Sequence, residues 1–180
     1  MTDLDLLELA RSEGFSAAMT TPDQVPVEAK FRAFCEENLC GKYNANYSCP
    51  PDCGTPEELH KKILAEEKVM VLQSICDIDS YEDRETIMKA KKSHNEATIR
   101  LIKKMREHGF DGFCAGASGC LLCTPCKKVK NQPCTYPDLK MSCMSAYCVN
   151  VSELAKRCEL TFIWTTDKLY SFGMIAFHKA

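Results

Sequence analysis

The stretch Lys68-Val69-Met70-Val71-Leu72-Gln73-Ser74-Ile75-Cys76, and the long segment Tyr81 to His108 that follows it, decide the fold of this chain. Four apolar residues stand side by side, Val69 to Leu72, bounded by charge. A short apolar run of that kind predicts a buried strand. The next segment has a different period. Ile87, Ala90, His94, Ala97, Leu101 and Met105 recur at three- and four-residue steps, the apolar stripe of a helix, and Gly109 supplies its stop. Phe110 to Ala117 then reads as a second strand.

Toward the N-terminus, Thr55-Pro56-Glu57-Glu58 combines a cap, a first-turn proline and a capping-box acid, opening a helix to about Glu67. Pro26 is expected to start a helix carrying Phe31, Phe34 and Cys35. A first helix runs from Thr2 to about Glu13, with Thr2 and Asp5 at capping-box spacing and Gly14 as the stop. Toward the C-terminus, Asn150 caps a helix with Glu153 at its third position, through about Cys158. Leu160 to Thr165 and Leu169 to Phe177 read as a hairpin around Thr166-Asp167-Lys168. This order of elements predicts an α+β fold, with helices packed on a small mixed or antiparallel sheet. Residues 1–54 hold the N-terminal helices and a first cysteine loop. Residues 55–180 form the core carrying a second, the two parts making one compact unit.

Charge narrows the function. Lys and Arg number 23 against 25 Asp and Glu, a net charge of −2 with a pI near 6.1. No basic field is available, so nucleic acid is not an expected partner. The most apolar stretches, Val69 to Leu72 and Leu160 to Trp164, are too short to span a bilayer, so no membrane is expected either. The opening Met1-Thr2-Asp3-Leu4-Asp5 is acidic where an export signal would be basic, which predicts a cytoplasmic protein. No phosphate-binding loop, dinucleotide fingerprint or nucleophile motif stands in the chain.

Thirteen cysteines are the anomaly. A reducing cytosol would not keep them as disulfides, and many sit too close in sequence to pair comfortably. Thiolates gathered for metal are the better reading. The stronger set is Cys120-Leu121-Leu122-Cys123-Thr124-Pro125-Cys126, with Cys134 further on and Pro137 behind it. Three cysteines at successive three-residue steps can wrap one face of a cubane, and a distant fourth can close it, as in bacterial ferredoxins. A single zinc more often takes two Cys-x-x-Cys pairs on separate turns, so it stands as the alternative. Gly116 and Gly119 would let backbone N–H groups approach cluster sulfur. Lys127, Lys128 and Lys130 either offset cluster charge or form a solvated face. The weaker set is Cys35, Cys40, Cys49 and Cys53, stiffened by Pro50-Pro51. Cys76, Cys114 and Cys158 read as small buried hydrophobes and His94 as a core histidine, while Cys143 and Cys148 stay open among helix-flanking core, a substitute ligand and a reactive pair.

At these motifs the chain resembles an uncharacterised family of predicted metal-binding proteins, domain of unknown function 2284. The residues that carry the resemblance are Cys40-Gly41-Lys42-Tyr43 leading to Cys49-Pro50-Pro51; the Cys120, Cys123, Cys126 run with Pro133-Cys134 and Pro137; and Ala146-Tyr147-Cys148-Val149-Asn150-Val151. The resemblance covers about Phe31 to the C-terminus and implies metal binding in an anaerobic setting. Its closing pattern has the form Ser-x-x-Ala-x-Gly-Ile-Asp-Val, so Cys143 and Cys148 stand where Ser and Gly are usual.

The resulting expectation is an iron–sulfur protein serving electron transfer or a redox accessory role. Cys120, Cys123, Cys126 and Cys134 hold one [4Fe-4S] cluster, and Cys35, Cys40, Cys49 and Cys53 a second, with a redox partner protein. Two rivals stay open. One is an iron–sulfur enzyme acting on a small molecule at an open cluster iron. The other is a zinc-stabilised interaction module.

Overall fold

The apolar run forms β2 (Lys68–Asp77). In a computed structural model that describes residues 1–180, Val69 to Gln73 are all buried because helices cover both faces of this strand. Val69 and Val71 belong to one core, Met70 and Leu72 to the other, as the two-residue period of a strand demands. A strand buried on both faces has no polar side to show, which is why it reads as a continuous apolar run.

The sheet has five strands in the order β1-β2-β5-β3-β4. β5 (Lys168–Lys179) is central, antiparallel to β2 along its length and to β3 (Phe110–Gly116) on its other edge. β1 (Ser16–Thr20) lies outside β2, and the two-residue β4 (Ser142–Cys143) runs parallel to the end of β3, so the sheet is mixed. On one face α1 (Asp3–Ser12) and α4 (Arg84–Glu107) bring Leu6, Ala10, Leu101 and Met105 against Met70, Leu72, Ile175 and Phe177. On the other, α3 (Pro56–Leu64) and α5 (Val151–Arg157) bring Leu59, Ile63 and Leu154 against Val71, Met174 and Ala176. Burying each such side chain contributes about 1.5–3 kcal/mol. Both predicted capping boxes form, Thr2 with Asp5 and Thr55 with Glu58, and Asn150 accepts from the Glu153 N–H. No helix is long and apolar enough to cross a membrane.

Three expectations are corrected. There is no C-terminal hairpin: Leu160 to Thr165 forms no strand, and β5 pairs with β2 over Lys168 to Phe177 and with β3 over Met174 to Lys179. That segment instead crosses the core with Leu160 and Phe162 packed down, Thr161 O bonded to the Gln73 amide, and Ile163 and Trp164 in solvent. Nor does a helix start at Pro26. Residues 26–28 are extended because their backbone pairs with 148–150: Glu28 N donates to Cys148 O at 2.9 Å and Asn150 N to Pro26 O at 2.8 Å. The helix there, α2 (Arg32–Glu36), is short. Finally, β1 was not foreseen. Ser16-Ala17-Ala18-Met19-Thr20 carries little apolar bulk, yet it pairs with the outer edge of β2, so residues 1–54 contribute α1 and β1 to the same layers as the rest.

Candidate metal centre

The two cysteine-rich loops lock together. The Asn46 side-chain amide donates to Cys120 O at 2.9 Å, and Cys120 N donates to Ser48 Oγ at 2.8 Å. Asn46 Oδ1 also accepts from both Ser48 N and Ser48 Oγ, so two buried polar side chains of the first loop hold the start of the second. At the rim, Tyr47 Oη donates to Gln132 O, and Lys128 pairs with Asp52 at 2.8 Å. Gly119 makes this fit possible: a Cβ there would lie 2.7 Å from Cys49 Sγ. Gly116 has a different task, since a Cβ on it would meet Asn95 Oδ1, which accepts from Ala117 N.

Cys120, Cys123, Cys126 and Cys134 all line one small pocket, beside Asn46 and Tyr47. No carboxylate and no imidazole shares that lining; Lys127 and Lys140 do. Burial pushes the Cys120 thiol up, backbone N–H groups of Leu122 and Met141 oppose this, and nearby Cys134 and Cys123 add to it. The lysine run therefore divides: Lys127 reaches the pocket, Lys128 is taken by Asp52, and Lys130 stands in solvent.

The other four predicted residues are spread more widely. Cys35 lies on α2, Cys40 is exposed, Cys49 is buried and Cys53 is half-buried. The structure brings Cys143 and Cys148 to them. Burial pushes Cys35 up to about 11 and Cys49 up to about 12, and in each case Cys143 is the next contributor. Burial also raises Cys53, with Arg32 opposing and Cys143 adding. Burial raises Cys143 itself; the Ala146 N–H opposes this and Cys40 adds to it. Sequence leaves Cys143 open among core, substitute ligand and reactive pair, because its place depends on β4 pairing with β3, which two residues cannot announce.

The remaining thiols stay apart. Cys114 and Cys158 pack on the two cores, whereas Cys76 is half-exposed at the end of β2 with its S–H on Asp77 O, not in either core. No three His, Cys, Asp or Glu side chains converge on a single ion position. The donor set is nonetheless one a metal would select: ten thiols in two adjoining groups, soft ligands suited to zinc, copper(I) or iron–sulfur clusters.

One protein-family model, described as "Predicted metal-binding protein (DUF2284)", matches residues 18–177. No curated protein and no solved structure matches the chain.

Proposed function

The chain belongs to this family of predicted metal-binding proteins, and from that premise we propose that it is an iron–sulfur protein passing electrons to a partner protein. The observation that carries the proposal is the single pocket lined by Cys120, Cys123, Cys126 and Cys134. Four thiolates match the four iron corners of a [4Fe-4S] cluster and leave none open, which favours electron transfer over substrate binding. Bound there, the cluster would supply one-electron redox chemistry. Three cysteines at successive three-residue steps from Cys120 to Cys126 support a polynuclear centre over one zinc, which more often takes two Cys-x-x-Cys pairs on separate turns.

The chain's own groups are placed for that role. The backbone N–H groups of Leu122 and Met141 favour the charged form of Cys120, and stabilising negative charge there would raise a cluster's potential. Lys127 and Lys140 at the pocket wall act in the same direction. Leu122 and Tyr136 line the same pocket and are exposed, so the centre lies close to the surface, where a redox partner can approach.

A second reading, a small-molecule enzyme, is favoured by a cavity of about 390 Å³ walled by Cys53, Lys62, Phe113, Lys140 and Tyr147. Its Phe113 and Tyr147 rings are stacked and Lys62 Nζ stands 4.1 Å from the Phe113 centroid.

Cys123→Ser tests the first reading. The middle thiol of the run cannot be replaced by its neighbours, which are already committed. Anaerobically prepared variant protein should lose the iron, sulfide and dithionite-bleachable absorbance of one cluster while keeping its circular dichroism. Unchanged iron and sulfide would contradict the assignment.

A further inference from the structure

The cavity of about 390 Å³ lies where α3, α4 and β3 meet residues 137–142 of the second cysteine loop. Small-molecule sites run from about 300 to 1,000 Å³, so it has room for a small organic ligand. β4 pairs only with Ala115 and Gly116, which leaves β3 without a strand beside it from Phe110 to Cys114. Gly112, Phe113 and Cys114 line the cavity from that uncovered edge. Much of the remaining wall is apolar: Leu59, Ile99, Ile102, Leu139 and Met141. Walls of this kind hold the body of a ligand, and polar groups decide which ligand it is.

Five charged residues line the cavity, and two of them are taken by partners outside it. Asp52 pairs with Lys128, and Arg106 with Asp111 and the Gly112 carbonyl. Lys62, Lys140 and Asp138 make no ion pair. Lys62 Nζ instead stands 4.1 Å from the Phe113 centroid. The two lysines repel one another: burial lowers the Lys62 pKa, Glu66 opposes this, and Lys140 adds to it. Cys114 is no counterion for them, because burial pushes its thiol up to about 12, with Arg106 and Lys62 opposing. Two free ammonium groups against one free carboxylate leave one positive charge unbalanced.

Tyr147 gives an independent sign of a ligand. It is 3% exposed, it lines the same cavity, and its hydroxyl makes no hydrogen bond within the protein. A buried hydroxyl is costly until an acceptor meets it, and an oxygen in the cavity would be one. A ligand that satisfies every one of these groups has a single negative charge, oxygen acceptors and an apolar body. Phosphate esters suit the cavity less well. They carry about −1.5 to −2 charges at neutral pH, more than the one left unbalanced here.

We propose that this cavity binds a small monocarboxylic acid with an apolar body, its carboxylate held by Lys62, Lys140 and the Tyr147 hydroxyl and its hydrocarbon part by Ile99, Ile102 and Met141. This rests on the second reading above only in taking the cavity as a small-molecule site. Tyr47 and Lys140 also line the pocket of Cys120, Cys123, Cys126 and Cys134, so the bound acid would adjoin the centre proposed for electron transfer.

The experiment is titration calorimetry of the whole chain, purified without oxygen, with four probes: benzoate, hexanoate, benzamide and inorganic phosphate. At least one of the two acids should bind once per chain. Benzamide, which has the ring of benzoate without its charge, should bind at least about tenfold more weakly than benzoate, as should phosphate, which has the charge without the apolar body. Lys62→Gln and Lys140→Gln change side chains open to solvent, so both variants should fold, and each should weaken acid binding by about tenfold. Benzamide or phosphate binding as tightly as the acids, or acid affinity unchanged in both variants, would overturn the proposal while leaving the cavity a small-molecule site. No saturable heat from any probe up to about 10 mM would refute the proposal and that reading together. Acid binding with the predicted losses supports the proposal whether or not any acid is turned over, so the enzyme reading stands or falls separately.

Discussion

His94 shows how burial sets a charge state at one residue. Its imidazole is 3% exposed, with Phe15 edge-on at 5.0 Å. Nδ1 lies 2.8 Å from Ser74 Oγ, while Nε2 has no partner and faces Gly173, where a Cβ would stand 2.7 Å from it. Burial pushes its pKa down to about 4 from 6.5. The folded ring is therefore neutral over a range where the unfolded ring is protonated, and the unfolded state binds the extra proton. Stability is lost as pH falls from about 6.5 to about 4, by up to about 3 kcal/mol. Urea midpoints at pH 7 and pH 4.5 check this: His94→Gln should be less stable than wild type at pH 7 but lose less on acidification. Equal losses in the two proteins would contradict it. The thiols follow the same logic with opposite sign. Burial holds Cys35 and Cys49 protonated, so loading metal there must release protons and is favoured as pH rises.

Among the elements, those with a period of their own were legible. The stripe of α4, the apolar run of β2 and the two capping boxes each carry a local cause, and each formed within a few residues of its expected bounds. What failed depended on partners. Leu160 to Thr165 has strand composition but packs Leu160 and Phe162 onto a core without pairing, and β1 has an edge to join but little strand composition. The extended backbone at 26–28 is explained by residues 148–150, far away in sequence. The site divides in the same way. The run from Cys120 to Cys126 announces itself by spacing, and the structure gathers it with Cys134 around one pocket. Cys143 joins its neighbours only through a two-residue parallel pairing. The loops are also interdependent, which Gly119→Ala tests. Its Cβ would stand 2.7 Å from Cys49 Sγ and 3.3 Å from Ser48 Oγ, so Cys49 must move. Bound metal should fall substantially, while thermal stability of the metal-free protein, whose core lies elsewhere, should drop by no more than about 1–3 kcal/mol. Full metal content in the variant would show that Cys49 need not sit where it does.

At the scale of the whole molecule, two kinds of structure are held by different forces. The sheet and its four flanking helices bury two apolar cores. The loops 39–54 and 118–142 contain few buried apolar residues and almost no regular structure, against an ordering entropy of about 1–2 kcal/mol per residue. Polar links such as Asn46 to Cys120 each contribute only about 0.5–1.5 kcal/mol. On the proposed function, metal ligation is the remaining contribution large enough to hold them. Stripping the metal should leave most helix and strand signal while both loops become sensitive to trypsin, with first cuts near Lys42 and Lys127 to Lys130. First cuts within α4, between Lys89 and Lys104, would contradict this division. The most direct test of the central claim is elemental. Protein purified without oxygen is assayed for iron, acid-labile sulfide and zinc per chain. The account predicts about four iron and about four sulfide for each cluster, with zinc near zero; a colourless protein holding stoichiometric zinc and no sulfide would contradict it.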